Sequence, residues 1–444
     1  MHTQLFLQPI KTIMSIVIAF VGYFGLLSIS NSDLLNLYSL IISYFASLFA
    51  ISLMYFLLEK RLKQKKLLLF SYLIFSIRFL VGVFHYLYFF EPDYLFEYIS
   101  NFNYFDDYIW LNDSMTMISR TLDGTIAADN EQAITAREIN KNYEMIFFMS
   151  LLFFFGGEKV LVVASFNSLI AIFSAFLVYK ISFSLRQSKR VAFFCFILVA
   201  LQPMEFISSI LAIDIFGQFI VILAIYLILS VYHTVYLKYI ITLIASLLTS
   251  FVREVYALIP IFTIFIAPLL NELTKGFISK KSLISILLIF IIAIIGYDFV
   301  INKILYRFLD QNFLSLIFQL PISLVYSIVG PFPWTQIFLQ PPGYEFHIPQ
   351  YLTPIYNLAL IFGTLKYILK YKLQKTDYLI LSFVFLFFLS GILVYGGRHT
   401  TYYSIAIPLL VLFDKNGKLS LFLIRFFLIF MFWVLMNVIY TLIT

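Results

Sequence analysis

Charge is what this chain has least of: only 12% of its 444 residues are Asp, Glu, Lys or Arg, against 62% hydrophobic. With a mean hydropathy of +0.96, that scarcity excludes a soluble globular domain. Cysteine occurs once, as Cys195, so no internal disulfide can form, and its place in an apolar run makes it a packing residue. The strict apolar/polar alternation of a membrane β-barrel is missing. So are a Gly-rich phosphate loop, zinc-ligand spacing, a nucleophile elbow and any internal repeat. The first apolar run is not followed by a small-residue cleavage site, so it is expected to remain as a helix and not to be removed as a signal peptide.

What is present are repeated apolar runs of about 18 residues or more, the length at which a helix crosses a bilayer. Backbone groups in lipid must be satisfied within the segment, which makes helices the default. The expected fold is therefore all-α, a polytopic membrane protein of about 11–13 transmembrane helices, with residues 1–444 forming a single transmembrane domain. The 20% aromatic content suits lipid contact and interfacial anchoring. A net charge of +7 does not point to nucleic acid, because the bases gather in short loops between apolar runs, as membrane topology requires.

Those bases orient the chain. Ile13–Ile29 and Leu35–Leu58 are the first two expected spans. The dense basic run Glu59–Lys66 follows and places itself, and the N-terminus, on the cytoplasmic side. Leu67–Phe90 then leads outward. Met145–Phe155 is too short to cross and reads as re-entrant or interfacial. Leu161–Tyr179 runs inward to a basic link (Lys180, Arg186, Lys189, Arg190), and Val191–Ile210 runs outward with a break near Pro203. Asp214 opens an inward span ending near Tyr232. Ile240–Ser250 and Tyr256–Leu270 form a hairpin of short arms, either two thin spans or a re-entrant element. Ser282–Ile301 goes out, Tyr356–Leu369 in, Tyr378–Tyr395 out, Tyr402–Phe413 in and Leu419–Thr441 out.

The exception to this apolar pattern is residues 91–144. This outer loop, expected to carry short helices, holds eleven of the chain's 23 acids and three bases. Two of the acids, Asp106 and Asp107, are adjacent and flanked by aromatics. Neighbouring carboxylates can supply a general base, or can hold a divalent cation such as Mg or Mn, because mutual repulsion raises one pKa or recruits the ion. They can equally be solvated loop acids, one of them capping a helix. Arg398 and His399 leave a span after two glycines, where an Arg could grip a phosphate or simply snorkel to the interface. Arg253 with Glu254 is a phosphate contact or an ion pair closing the hairpin tip. Asp214 reads first as a helix cap, and Trp334 as an anchor in the Pro-rich part of a second outer loop, 302–355. Arg78 and His85 lie in the third span, and an intramembrane Arg needs a partner.

Asp106-Asp107, the stretch Phe166–Lys180, the Pro203 break followed by Asp214, the Gly330–Trp334 loop and Arg398-His399 together resemble the GT-C type of membrane glycosyltransferase, over roughly residues 91–410. One difference is that two spans precede the helix leading to the acidic loop. The resemblance implies an inverting transferase on the outer face of the cytoplasmic membrane. Its donor would be a polyprenyl-phosphate-linked sugar and its acceptor a saccharide or a lipid-linked glycan, in surface polysaccharide assembly. It further implies catalysis by Asp106 or Asp107, as base or metal ligand, with substrate contacts from Arg398, His399, Arg253, Asp214 and Trp334. The chain is also similar to Wzy-type repeat-unit polymerases, in which outer-loop arginines would dominate. A flippase or transporter is the reading from another class, and it would place charge along the middle of the spans.

Overall fold

The computed structural model describes residues 2–28, 36–58, 65–89, 160–203, 214–231, 235–250, 254–275, 279, 348–395, 406–414 and 417–443. Every regular element among them is helical: α1 (His2–Ser28), α2 (Asn36–Leu58), α3 (Lys65–Phe89), α4 (Val160–Arg186), α5 (Lys189–Ala200), α6 (Asp214–Ser230), α7 (Val235–Ser250), α8 (Ile259–Leu273), α9 (Ile348–Lys370), α10 (Lys375–Tyr395) and α11 (Leu419–Ile443), with 3₁₀ turns at Glu254–Leu258 and Ile407–Phe413. Seven of these stretches are long and apolar enough to cross a membrane, and Ile215–Ser230 and Tyr236–Ser250 are shorter apolar helices. Among the described residues the protein is thus all-helical, with the long apolar helices of a membrane protein.

The chain divides into two compact units: Met1–Phe173 with Glu205–Phe216, and Ser174–Met204 with Gly217–Thr444. In the first, α1 packs along α2, and Gly22 permits the close approach. A Cβ there would sit 3.1 Å from the Phe49 ring and 3.2 Å from Leu53. Small residues serve helix contacts in lipid because dispersion, and not water exclusion, drives association there. Phe20 of α1 stacks edge-on against Phe173 of α4 at 5.0 Å. Lys11 Nζ donates to the Leu58 carbonyl at 3.2 Å, covering an open carbonyl at the C-terminus of α2.

Buried and half-buried hydroxyls tie these helices together. Tyr44 pairs with Ser76 at 2.8 Å, Tyr72 with Ser52 at 2.5 Å, and Tyr55 with Ser71 at 2.9 Å. Ser71 spends its proton on the Leu67 carbonyl, so the Tyr55 hydroxyl is the donor across the helix pair. Tyr23 of α1 likewise pairs with Ser165 of α4 at 2.6 Å, and both hydroxyls face the Val162 carbonyl. Such bonds contribute about 0.6 kcal/mol each in membrane helices. Tyr55→Phe is expected to cost about that much, and a double-mutant cycle with Ser71→Ala, read by unfolding in mixed detergent, should return the same value as coupling. Arg78 of α3 is fully buried in this unit.

In the second unit the helices share one basic end. The C-terminus of α4 brings Arg186 there, and the α9–α10 turn brings Lys370, Lys372, Lys375 and Asp377. Thr274, just past α8, bonds to Tyr378 at 2.8 Å, so α8 ends at this same place. The hairpin of α7 and α8 is closed by Thr249, which donates to the Tyr256 carbonyl at 3.1 Å, and by Ser246, which donates to the Ala257 carbonyl. With its 3₁₀ turn, the return arm Tyr256–Leu273 is long enough to span.

Tyr402–Phe413, expected as an α-helical span, is not one in its described part. Ile407–Phe413 is a 3₁₀ turn and all seven residues are buried. Pro408 at its start lacks an N–H, and a seven-residue 3₁₀ turn covers only about 14 Å. Its placement shows why lipid tolerates it. The Cys195 thiol faces the Val411 carbonyl at 3.6 Å, Thr364 donates to Leu410 O at 3.4 Å, and the Phe413 ring lies 5.3 Å from that of Tyr367. Non-α backbone is accepted at membrane depth only where protein covers it. The segment still returns the chain to the basic end, where Gly417 (φ +54°) turns beside Val191 with no room for a Cβ. α11 departs from there with only 6% of Leu419–Met436 buried, so most of its apolar surface is exposed.

Candidate functional site

Most residues the sequence nominates, Asp106, Asp107, Arg253, Trp334, Arg398 and His399, lie outside the described residues, as do the loop 91–144 and most of 302–355. Asp214 is described in its backbone, as the first residue of α6, which accords with a helix-opening role. Glu254 opens the 3₁₀ turn before α8. In the second unit, the end opposite the basic one collects the C-terminus of α5, the α7–α8 hairpin tip, the start of α9 and Tyr395 at the close of α10. Arg253 falls in the chain between Ser250 and Glu254, and Arg398 falls three residues after Tyr395.

Near that far end the helices bury polar groups that sequence reasoning did not single out. Tyr356 of α9 donates its hydroxyl to the Leu198 carbonyl of α5 at 2.8 Å, joining the two helices. One turn beyond Leu198 stands Gln202, with 0% exposure, and next to Tyr356 stands Asn357, with 1%. Neither the nitrogen nor the oxygen of the Gln202 carboxamide bonds to protein, and neither does Oδ1 of Asn357. A buried polar group left so costs about 1–3 kcal/mol.

The basic end holds a different construction. Arg186 Nη2 bonds Asp377 Oδ1 at 3.2 Å, with side-chain exposures of 8% and 0%. The same nitrogen donates to Leu412 O at 3.1 Å and Nε donates to it at 3.4 Å. Oδ2 of Asp377 accepts from Tyr367 Oη at 3.1 Å and from the Gln374 N–H at 2.9 Å. The latter is the N3-to-N-cap half of a capping box. The Tyr367 ring lies 5.2 Å under the guanidinium. Three elements (α4, the α9–α10 turn and the 3₁₀ return) therefore meet on one buried ion pair. The sequence reads Arg186 as a topological charge. The cue it missed is Asp377, a lone acid in a turn of lysines.

A second pair, Arg425–Asp414, sits at 2.5 Å and is partly exposed. Gly363 leaves room for it, since a Cβ there would meet the Arg425 guanidinium. Among the described residues no three of His, Cys, Asp or Glu are grouped to hold a metal. Comparison with protein-family models, curated proteins and solved structures gives no match.

Proposed function

We propose that the protein is a glycosyltransferase of the cytoplasmic membrane that uses a polyprenyl-phosphate-linked sugar on the outer face, in surface polysaccharide assembly. The observation that carries this reading is the segregation of charge. Nearly half of the acids lie in residues 91–144, while the helices of the second unit gather their lysines and arginines at one end. The basic end is the cytoplasmic side by the positive-inside rule. The acidic loop, separated from the basic run 59–66 by one apolar span in the sequence, is assigned to the outer face on the same rule, and the N-terminus to the cytoplasm.

In the reaction, Asp106 or Asp107 accepts the proton of the acceptor hydroxyl as general base; in the alternative role these carboxylates would hold a divalent cation, which would offset the charge of the leaving phosphate. The acceptor oxygen bonds to the anomeric carbon as the bond from that carbon to the phosphate oxygen breaks. The polyprenyl phosphate leaves with its negative charge offset by Arg398. His399, Arg253, Asp214 and Trp334 complete the substrate contacts.

A chromosomal deletion tests the reading. Surface glycan is expected to be truncated or lost and to return with the wild-type gene. Full-length glycan on the deletion strain would refute it.

A further inference from the structure

Among the described residues, Gln202 is the one carboxamide buried with both its nitrogen and its oxygen unbonded. α5 begins at Lys189 on the basic end and runs twelve residues to Ala200, about 18 Å at 1.5 Å per residue. Gln202, two residues past its end, therefore lies toward the end opposite the lysines. It is wholly buried, and neither of its carboxamide atoms has a protein partner. Asn357 on α9, the helix bonded to α5 through Tyr356 and Leu198, is buried with its oxygen equally unbonded.

The pattern discriminates among ligands. A phosphate would use only the N–H₂ donors of a carboxamide, and a cation would use only the carbonyl oxygen. A hydroxyl is donor and acceptor at once, and so is the matching partner for an amide with both halves open. A neutral amide also carries no charge to be desolvated when an uncharged ligand arrives. The wholly apolar prenyl chain offers neither function.

We infer that Gln202 and Asn357 bind hydroxyl groups of the saccharide, forming the sugar-recognising part of the site. This rests on the transferase reading. The role is substrate binding and specificity. The carboxamides take no proton in the transfer and form no bond to the sugar.

The test uses the purified full-length protein in detergent and compares wild type, Gln202→Met and Asn357→Leu. Each is titrated with farnesyl phosphates carrying glucose, galactose, mannose or arabinose, and with bare farnesyl phosphate, and binding is read as a rise in melting temperature. Without probe, both variants are expected to melt no lower than wild type, because no protein hydrogen bond is lost. The best sugar-bearing probe is expected to bind wild type more tightly than the bare phosphate does. Each variant should weaken that sugar-bearing probe by about tenfold and leave the bare phosphate unchanged. Variants that respond to the sugars as wild type does would overturn the inference and leave the transferase reading standing. So would variants that unfold, which would assign the amides to structure. A wild-type protein stabilised by no sugar-bearing probe would remove the transferase reading, and the inference with it.

Discussion

Asp377→Ala is expected to lower the unfolding free energy by about 3–5 kcal/mol, the usual consequence of stranding one member of a buried ion pair. The loss is large because the carboxylate does three things at once. It neutralises Arg186, accepts the Tyr367 hydroxyl and caps the first turn of α10. With Asp377 gone, an arginine that is 8% exposed retains only the Leu412 carbonyl and the Tyr367 ring as partners. Arg186→Leu together with Asp377→Leu should recover much of the loss, since replacing a buried pair by apolar side chains is often neutral. Unfolding in mixed detergent measures all three proteins. By contrast, Arg425–Asp414, with exposures of 22% and 11%, is screened by water, and Asp414→Ala should cost about 1 kcal/mol or less. If Asp377→Ala is as mild as Asp414→Ala, the clasp does not hold the return segment.

The second large effect belongs to the acidic loop. Asp106→Asn and Asp107→Asn keep side-chain volume and remove the capacity to accept a proton or hold a cation. The variant that removes the acting carboxylate should reduce glycan transfer by about 10²–10⁴-fold, the scale of general base catalysis, at equal abundance in the membrane. Arg398→Ala should impair transfer by leaving the departing phosphate uncompensated. If the arginine variants, Arg253→Ala and Arg398→Ala, are the most affected and single unpolymerised units appear, a repeat-unit polymerase is the better reading. Normal glycan from all four variants would remove these residues from the site.

The helices themselves were largely legible. Where a long apolar run ended in a basic or polar break, as at Leu58 and Lys65, the expected and observed ends agree within a few residues. The alternating directions of the second unit also follow from its loop lysines. Two features escaped for physical reasons. α4 continues past Tyr179 to Arg186 because Lys180 lies over the Phe176 ring at 5.5 Å and Arg186 finds Asp377, 191 positions away. Local hydropathy carries no information about such pairing. Ile407–Phe413 looks like a span because it is uniformly apolar, yet burial among helices, and not lipid contact, is what its apolarity serves. Gln202 and Asn357 could be read only as polar residues in apolar runs. That their carboxamides are buried without a protein partner is a property of the packing. Asp106, Asp107, Arg253, Trp334, Arg398 and His399 lie outside the described residues, so the case for them rests on their chemistry and order in the chain.

The most direct test of the central claim is the mass profile of lipid-linked saccharides extracted from the deletion strain. A polyprenyl-phosphate-sugar transferase predicts two accumulations: a glycan intermediate shorter by the residue this enzyme adds, and its unused polyprenyl-phosphate sugar. Both should disappear when the wild-type gene is restored and persist when the gene carries the inactivating Asp106→Asn or Asp107→Asn change. A deletion strain whose lipid-linked saccharides match those of the parent in size and amount would contradict the account.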